Sequence, residues 1–507
     1  MLAFTTFTKR NSILLTWCEL GFHLLALPAF LWVTCRRRLG VAKDAITVAF
    51  FHPYCNAGGG GERVLWLTIK ALASLHAKSI KRKQKPLHVF IYTGDHGVAP
   101  DEILRRAEAH FAVNLTNLPM PLSFVFVRGR QWLEAPRFPV LTMVGQSLGS
   151  ILLAFVCLGD FLPDVFFDTT GCAFTYPVAA LLGRCRIAAY VHYPTISTDM
   201  LSAVREQRPS YNNDRSLACS PWKSRLKLIY YHAFACLYGL CGFFVSLIIV
   251  NSSWTQAHIR SLWWLGRPRV WTVFPPCDTS ALKDLPLAPR EPVILSVGQF
   301  RPEKEHPLQI RAFARFLNSG SSSGSTGPDS LVNNKDIKLV LLGSCRGAED
   351  ERRVAALRAL AAEAGVGGQV EFVVGAPYPD LKRWLGRASV GVHTMWNEHF
   401  GICVVEYMAA GLVTVAHNSG GPKADIVVPF QGAPTGILAA TEEEYAQAFA
   451  RIFAMNETRE LTPFRISARA SIDRFSDEVF LREISRLIGP FLGLKIFDRR
   501  ESCAAEN

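Results

Sequence analysis

Short apolar runs rich in β-branched residues recur along the chain and alternate with helical segments, and this alternation most constrains the fold. The first series is 46–51, 87–92, 124–127, 165–168 and 187–192, and the second is 293–297, 337–342, 370–373, 389–393 and 413–416. Runs that are apolar throughout are typical of parallel strands buried on both faces. The sequence therefore predicts an α/β fold of two Rossmann-like domains that face a cleft.

Composition changes divide the chain further. Five prolines between Pro275 and Pro292 indicate a linker between the two series. We expect four regions: a membrane anchor, a first Rossmann-like domain with an interfacial apolar segment at 228–250, a second Rossmann-like domain, and a C-terminal helix with a tail. Their predicted bounds are 1–43, 44–280, 281–460 and 461–507.

The predicted anchor is the apolar run from Ile13 to Cys35, which is long enough to cross a bilayer as one transmembrane helix. Arg36, Arg37 and Arg38 follow it directly, which favours a cytosolic location for the rest of the chain. A cleaved signal peptide is the alternative, but its apolar core would be shorter and would end at small residues. We expect a single uncleaved anchor.

A second apolar run, from Phe234 to Val250, is also long enough to be considered as a span. Its last five residues are SLIIV, and the polar residues from Asn251 follow. This pattern predicts a helix, then a buried strand, then another helix. The helical half is expected to contact the membrane interface.

Charge and cysteine content limit the partners. The chain has 55 basic and 42 acidic residues, a net charge of +13, which favours phosphorylated substrates or anionic lipid. The basic residues are not interleaved with aromatic residues along one face, so no nucleic acid is expected. The 13 cysteines include no Cys-x-x-Cys pair, which predicts a reducing compartment and no zinc site.

The basic run from Lys78 to Lys85 has two interpretations. It is either a solvated turn between a helix and a strand or a contact with anionic lipid headgroups.

Four consecutive glycines, Gly58, Gly59, Gly60 and Gly61, follow the first predicted strand and open a helix. Glycine lets the backbone approach a ligand, and a helix N-terminus offers N–H groups and positive potential to a phosphate. The spacing is neither that of a dinucleotide fingerprint nor that of a P-loop, and a flexible turn is the alternative. His192, at the end of a later strand, is a second candidate at the same sheet edge.

The second series carries its candidates after two strands. Arg301 and Lys304 follow the strand that ends at Val297, where they could neutralise a diphosphate. Glu398 and Glu406 lie eight positions apart around a predicted helix start. We expect Glu406 to be buried and to need a polar partner, such as a sugar hydroxyl.

The glutamate pair in an E-x7-E arrangement, the glycine loop and the Arg/Lys pair resemble the retaining glycosyltransferases of family 4, which have the GT-B fold. The resemblance runs from about Ile46 to the C-terminus and becomes more specific at four strings, where it is closest to the mannosyltransferases of the dolichol pathway. The strings are FFHPYCNAGGGGERVLW, HYPTISTDML, GQFRPEKEHPLQI and HTMWNEHFGICVVEYMAAG.

The resemblance implies an activity: α-1,2 transfer of mannose, with retention, from GDP-mannose to a dolichyl-diphosphate-linked oligosaccharide. In that pathway the fourth and fifth mannoses are added to Man3GlcNAc2 for protein N-glycosylation. It also implies an endoplasmic reticulum membrane protein with its catalytic domains on the cytosolic face. Other mannosyltransferases of the pathway are expected partners, and no cofactor and no metal are expected.

The resemblance also implies roles for individual residues. Glu398 would contact the transferred sugar, and Glu406 would hold the ribose. Catalysis is assigned to Glu398, His192, Lys304 and Arg301, and donor binding to Gly58, Gly59, Gly60, Gly61, Arg301, Lys304, Gly343, Glu398, Phe400, Gly401, Ile402 and Glu406. Many family members have an arginine directly after the glycine where this chain has Gln299.

Three alternatives remain open from the residues. One is another lipid-linked family 4 transferase that acts on phosphatidylinositol or uses a UDP-sugar. The second is a catalytically inactive scaffold of such a pathway, and the third is a nucleotide-sugar epimerase of similar fold. The membrane anchor disfavours an epimerase, because a soluble substrate requires no anchor.

Overall fold

A computed structural model describes residue 21 and residues 44–205, 221–265, 269–322, 336–455 and 457–495. Apart from residue 21, the predicted anchor at 13–35 lies outside these residues. The described chain forms two compact units. The first contains residues 44–251, 255–273 and 480–495, and the second contains residues 252–254 and 274–479, with the gaps given above.

The first unit is built on a seven-stranded sheet in which all neighbours are parallel. The strand order is β3-β2-β1-β4-β5-β6-β7. The strands are β1 (Ile46–Phe51), β2 (Leu87–Thr93), β3 (Leu122–Phe126), β4 (Val165–Asp168), β5 (Arg186–Val191), β6 (Val245–Val250) and β7 (Val270–Thr272). Five of these strands lie within a few residues of the predicted runs, because buried β-branched and aromatic side chains favour this pairing.

Helices cover both faces of this sheet, and two apolar clusters form its core, one on each face. The helices are α1 (Gly60–Lys81), α2 (Pro100–Phe111), α3 (Thr142–Asp160), α4 (Thr198–Arg205), α5 (Pro221–Gly242) and α6 (Ser253–Leu262).

The second unit repeats the arrangement with a six-stranded parallel sheet in the order β10-β9-β8-β11-β12-β13. Its strands are β8 (Glu291–Val297), β9 (Lys338–Gly343), β10 (Val370–Val374), β11 (Ala388–His393), β12 (Val413–His417) and β13 (Ile437–Ala439). Its helices are α7 (Ser280–Lys283), α8 (His306–Ser322), α9 (Ala348–Glu363), α10 (Tyr378–Arg387), α11 (Ile402–Ala410), α12 (Glu442–Ala454) and α13 (Thr462–Ser471).

The described part of the predicted C-terminal helix and tail, residues 461–495, divides between the two units. Helix α13 packs in the core of the second unit through Phe464 and Ala468. The last helix, α14 (Asp477–Phe491), instead packs on the first unit through Phe480, Ile484 and Leu487. Their spacing places these side chains on one face of the helix, which explains the packing.

The segment 228–250, expected to be interfacial, divides into two parts. Residues 245–250 form β6, which is hydrogen-bonded between β5 and β7 and mostly buried, so this half cannot contact a membrane. The helical half belongs to α5, which leaves Ile229 and Leu237 exposed at 67% and 52%. Only this helix retains the interfacial interpretation.

Among the described residues, one helix is long and apolar enough to cross a membrane, and it is α3. The sequence pattern did not single it out. Just over half of it, 56%, is buried, and Leu153, Phe155 and Leu158 pack in the core of the first unit. This packing is that of a core helix in a soluble domain, which passes the same length and hydropathy test.

Candidate active site

Each sheet reverses its winding direction between two central strands, and this position determines where ligands bind. In the order of the first sheet, β1 and β4 are neighbours; in the second, β8 and β11 are neighbours. Ligands of such sheets bind beyond the carboxyl ends of the strands at this switch point. Both groups of predicted residues lie there, one in each unit.

In the second unit the switch point is bridged by an ion pair between Lys304 and Glu398. Lys304 ends the short 3-10 turn Pro302–Lys304 that follows β8, and Glu398 lies in the loop after β11. The Lys304 Nζ is 2.6 Å from the Glu398 Oε2, and the two side chains are 25% and 14% exposed.

The environment keeps both members of this pair charged. Burial raises the pKa of Glu398, but the Lys304 ammonium and a hydrogen bond from His393 hold that pKa well below its usual range. Burial lowers the pKa of Lys304, but Glu398 outweighs it, so the net pKa is raised. The His393 Nε2 lies 3.2 Å from the same Glu398 oxygen. No role was expected for His393, although its place at the end of β11 was a signal.

The loop after β12 holds the backbone at Glu398 in place. The Gly421 N–H donates to the Glu398 carbonyl at 2.7 Å, and the Asn397 N–H donates to the Ser419 hydroxyl at 2.8 Å. A Cβ atom at Gly420 would lie 2.3 Å from the Glu398 carbonyl oxygen, so this loop requires glycine. The adjacent glycines after β12 were the missed signal.

The start of α11 contains the other residues predicted around Glu398. Gly401 adopts φ 105° as the N-terminal cap, and the first turn of a helix has N–H groups without intrahelical acceptors. The Phe400 side chain is buried, at 3% exposed, and lies 5.3 Å from the Phe475 ring, so only its backbone can face a ligand. Ile402 is half-buried.

Glu406 differs from the prediction, since it is half-buried rather than buried. The buried face of α11 is formed instead by Val404, Val405 and Tyr407. Burial raises the pKa of the nearby Cys403 thiol to about 12, with Lys304 lowering it and Glu398 and Glu406 raising it. The two glutamates and the lysine therefore surround one side of the α11 start.

Arg301 lies three positions before Lys304 but forms a longer ion contact. Its side chain is 36% exposed, and its Nη1 is 3.8 Å from the Glu303 Oε1. Gln299, directly after Gly298, contacts an arginine from another segment. With its oxygen turned toward Arg346, the Gln299 amide accepts from Nη2 at 3.0 Å and from Nε at 3.3 Å. Sequence spacing gave no reason to connect Arg346 with this loop.

Gly343 ends β9 beside the same loop. A Cβ atom there would lie 1.9 Å from the Gly298 carbonyl oxygen. The close packing of two strand ends therefore requires this glycine, whether or not a nucleotide approaches it.

In the first unit the glycine loop follows β1 as predicted. Gly58 adopts φ 76°, Gly59 caps α1, and Gly60 and Gly61 begin the helix. The Gly59 N–H donates to the Glu62 carboxylate at 2.6 Å.

His192 lies beside this loop, so the structure brings these two predictions together. A Cβ atom at Gly61 would be 3.5 Å from the His192 Nε2. His52, which the sequence analysis gave no role, lies at the end of β1 with its Nδ1 2.7 Å from the Thr169 hydroxyl after β4. Burial, reinforced by His192, lowers the pKa of His52 to about 3, so His52 is neutral.

Across the described ranges, no group of three or more His, Cys, Asp or Glu side chains is arranged to hold a metal ion. The second unit presents a cationic group, helix N–H groups and carboxylates, which suit a phosphorylated ligand with hydroxyl groups. The first presents the backbone of a glycine loop and the neutral imidazole of His52, which suit a polar ligand.

Comparison with known proteins agrees with this division. Residues 45–263 match the family model described as ALG11 mannosyltransferase N-terminus, and residues 279–462 match Glycosyl transferases group 1. Among solved structures, sucrose-phosphate synthase from Thermosynechococcus elongatus has a TM-score of 0.55 at 17% identity, covering 88% of this chain and 99% of that one. HepE from Anabaena with UDP and glucose has a TM-score of 0.53 at 15% identity, covering 88% and 99%. These likenesses show the GT-B fold.

Curated relatives are much more similar. A human protein named GDP-Man:Man(3)GlcNAc(2)-PP-Dol alpha-1,2-mannosyltransferase is 48% identical over 86% of this chain and 85% of its own length. Proteins of the same name from Xenopus laevis and Dictyostelium discoideum are 44% and 40% identical, covering 90% and 93% of this chain and 91% and 90% of their own lengths. The chain belongs to this family of mannosyltransferases, with the GT-B fold.

Proposed function

We propose that this protein transfers mannose from GDP-mannose in α-1,2 linkage to Man3GlcNAc2-diphosphodolichol, adding the fourth and fifth mannoses. The relatives' shared name and their coverage of nearly the whole chain support the substrates. The observation that carries the chemistry is the Lys304–Glu398 pair at the second switch point.

Lys304 is proposed to change partners when the donor binds. Before binding, Glu398 holds its ammonium in place and charged. A nucleotide diphosphate at the strand ends would take this ammonium, and Glu398 would then be available to a hydroxyl of the sugar. Because the cation is already positioned, little reorganisation is needed as negative charge develops on the departing GDP.

The remaining donor contacts follow from the same geometry. The α11 N-terminus at Gly401 and Ile402 would bind the diphosphate, and Glu406 would accept from the ribose hydroxyls. Arg301 is a partly exposed second cation, and Arg346 supplies a guanidinium beside Gln299. No metal is required in this proposal, because these groups provide the positive charge.

The acceptor would be bound by the first unit. Gly58 to Gly61 and His192 would contact the acceptor and the donor phosphate, and the neutral His52 would fix the loop after β1. We propose attack on the same face as the departing diphosphate, with a diphosphate oxygen taking the proton of the acceptor hydroxyl. This route retains the α configuration of the donor.

The proposed location is the cytosolic face of the endoplasmic reticulum membrane, held by one N-terminal anchor and by the exposed side of α5. Other mannosyltransferases of the pathway would be neighbours there, since they use and supply the same lipid-linked chains.

The test is to incubate the full chain in membranes with GDP-mannose and Man3GlcNAc2-diphosphodolichol, and then to size the released glycans. We expect glycans with four and five mannoses whose added residues are removed by an α-1,2-specific mannosidase. Glu398→Ala serves as the inactive control, and UDP-sugars as donors test the alternative transferase. Glycans that stop at three mannoses would overturn the proposal.

A further inference from the structure

A large basic cavity lies at the edge of the first sheet opposite the glycine loop. It has a volume of about 920 Å³ and is lined by residues at the amino ends of three strands: Ile46 begins β1, Asp164 precedes β4, and Arg186 begins β5. Since the strands are parallel, this edge is separated from the candidate active site by the full length of the sheet. The cavity therefore plays no part in the proposed transfer.

Its charge is strongly asymmetric. Five basic residues and two carboxylates line it, an excess of three positive charges; the basic residues are Lys83, Lys85, Arg184, Arg186 and Lys495. None of the five forms an ion pair with a carboxylate of the described chain. Of the two acids, Asp164 has one oxygen engaged by the Thr47 N–H and hydroxyl at 3.0 and 2.8 Å. The cavity therefore offers positive charge to an anion.

Hydrogen bonds hold the walls of the cavity in place. The Arg186 Nη1 donates to the Phe491 carbonyl at 2.6 Å, and its guanidinium lies over the Phe491 ring at 4.9 Å. The Lys495 backbone is held by Gln84, which accepts from its N–H at 3.0 Å and donates to its carbonyl at 3.2 Å. The C-terminal segment and the turn after α1 are thus fixed as walls of the cavity by hydrogen bonds.

Two of the basic residues occupy backbone positions that favour glycine. Lys83 and Arg184 have φ of 52° and 53°, in the left-handed region. A glycine would adopt this conformation without steric cost, and Asn or Asp would be the usual substitute. A long basic side chain at both positions supplies charge to the cavity that the turns themselves do not need.

The surroundings point to a membrane as the source of the anion. Leu181 and Leu182, just before Arg184, are 64% and 53% exposed. Asp44 lines the cavity, and only eight residues separate it from the end of the predicted anchor at Cys35. Even fully extended, eight residues span about 29 Å. A chain anchored by that run would keep the cavity near the bilayer surface.

We propose that this cavity binds the phosphate headgroup of an anionic membrane phospholipid, with Leu181 and Leu182 inserting beside it. The inference shares with the proposed function only the membrane location, and it needs no mannose transfer. It also decides between the two interpretations of the basic run from Lys78 to Lys85, since Lys83 and Lys85 belong to the cavity.

The test measures binding of short-chain phospholipids to the purified full chain in a neutral detergent by calorimetry. The probes are dihexanoyl phosphatidylserine and phosphatidylinositol, with dihexanoyl phosphatidylcholine and inorganic phosphate as comparisons. The variant is Lys83→Gly with Arg184→Gly, which removes two charges and relaxes two left-handed turns, so folding is preserved. Its matched control is Lys70→Gln with Arg260→Gln, two exposed residues of the same unit outside the cavity.

We expect saturable binding of the anionic lipids, unchanged in the control and weakened roughly 25-fold in the glycine variant, from about fivefold for each charge. Equal binding by both variants would overturn the proposal, as would equal binding of phosphatidylcholine. Inorganic phosphate that binds as tightly as the anionic lipids would show a site for free anions and not for a lipid. Because the readout is binding, failure of the transfer assay leaves this result unaffected.

Discussion

Each unit has a crevice at the switch point of its sheet, but the two crevices differ in chemistry. At the first switch point the two strand ends are joined by neutral groups, with His52 bonded to Thr169 at 2.7 Å. At the second, they are joined by the charged pair of Lys304 and Glu398 at 2.6 Å. Parallel topology alone therefore does not determine the charge of a crevice. Residues at the strand ends decide whether it suits a charged or a neutral ligand.

Removing the cation of the second crevice should have the largest effect. Lys304→Met is expected to lower kcat by about a thousandfold, because one preorganised group that stabilises developing charge is worth about 100- to 1,000-fold. The measurement is transfer from GDP-mannose in membranes. Lys338→Met, an exposed lysine at the start of β9, is the matched control and should keep full activity.

A double variant distinguishes a purely structural role of the Lys304–Glu398 pair from a catalytic one. Lys304→Met alone leaves the Glu398 carboxylate buried without its cation, which lowers the melting temperature. Adding Glu398→Gln removes that uncompensated charge, so we expect the melting temperature to recover while activity stays lost. Recovery of activity in the double variant would assign the pair to folding alone.

In the neutral crevice the corresponding loss should be smaller. His192→Ala is expected to lower kcat/KM about tenfold, since one hydrogen bond contributes about 0.5–1.5 kcal/mol. His96→Ala, just beyond the carboxyl end of β2 at the same edge of the sheet, is the control and should change kcat/KM little. A loss at His192 as large as that at Lys304 would contradict the proposed division between the two crevices.

The two crevices should also respond to acid at different pH. The folded pKa of His52, about 3, is below its unfolded value of 6.5, so its stabilising effect is complete above pH 6.5 and is lost as pH falls. The depressed pKa of Glu398 acts in the same direction, but only below its unfolded value of 4.5. The first crevice should therefore weaken first.

We expect His52→Gln, which cannot titrate, to lose less stability than the parent between pH 7 and pH 5, by on the order of 2 kcal/mol. Melting temperatures of both proteins across this range provide the measurement. Burial also lowers the pKa of His306 and His417 to about 4, so both proteins should lose some stability. Parallel curves for the two proteins would refute the assignment to His52.

Much of the fold follows from local sequence. Buried parallel strands are short apolar runs, and for this reason the predicted ranges of β1, β4 and β8 to β12 agree closely with the structure. Helix α3 was missed because it is apolar on most sides and has little helical periodicity. The return of α14 to the first unit was missed because amphipathic spacing predicts an apolar face but not the surface it packs against.

The site was predictable where one segment carries the signal, and not where two segments meet. The glycine loop and Glu398 stand out in sequence. His52 with Thr169 and Gln299 with Arg346 depend on pairs separated by 117 and 47 positions, which only the strand order brings together.

The position of α14 has a consequence for biosynthesis. Its residues Phe480, Ile484 and Leu487 complete the apolar core behind the first sheet, yet they leave the ribosome only after the second unit at 274–479 has been made. Domains that fold during synthesis usually do so in order from the N-terminus. In this chain the earlier unit must wait with part of its core uncovered until the second unit has been made, so a premature stop after residue 476 should damage the half of the protein that was made first.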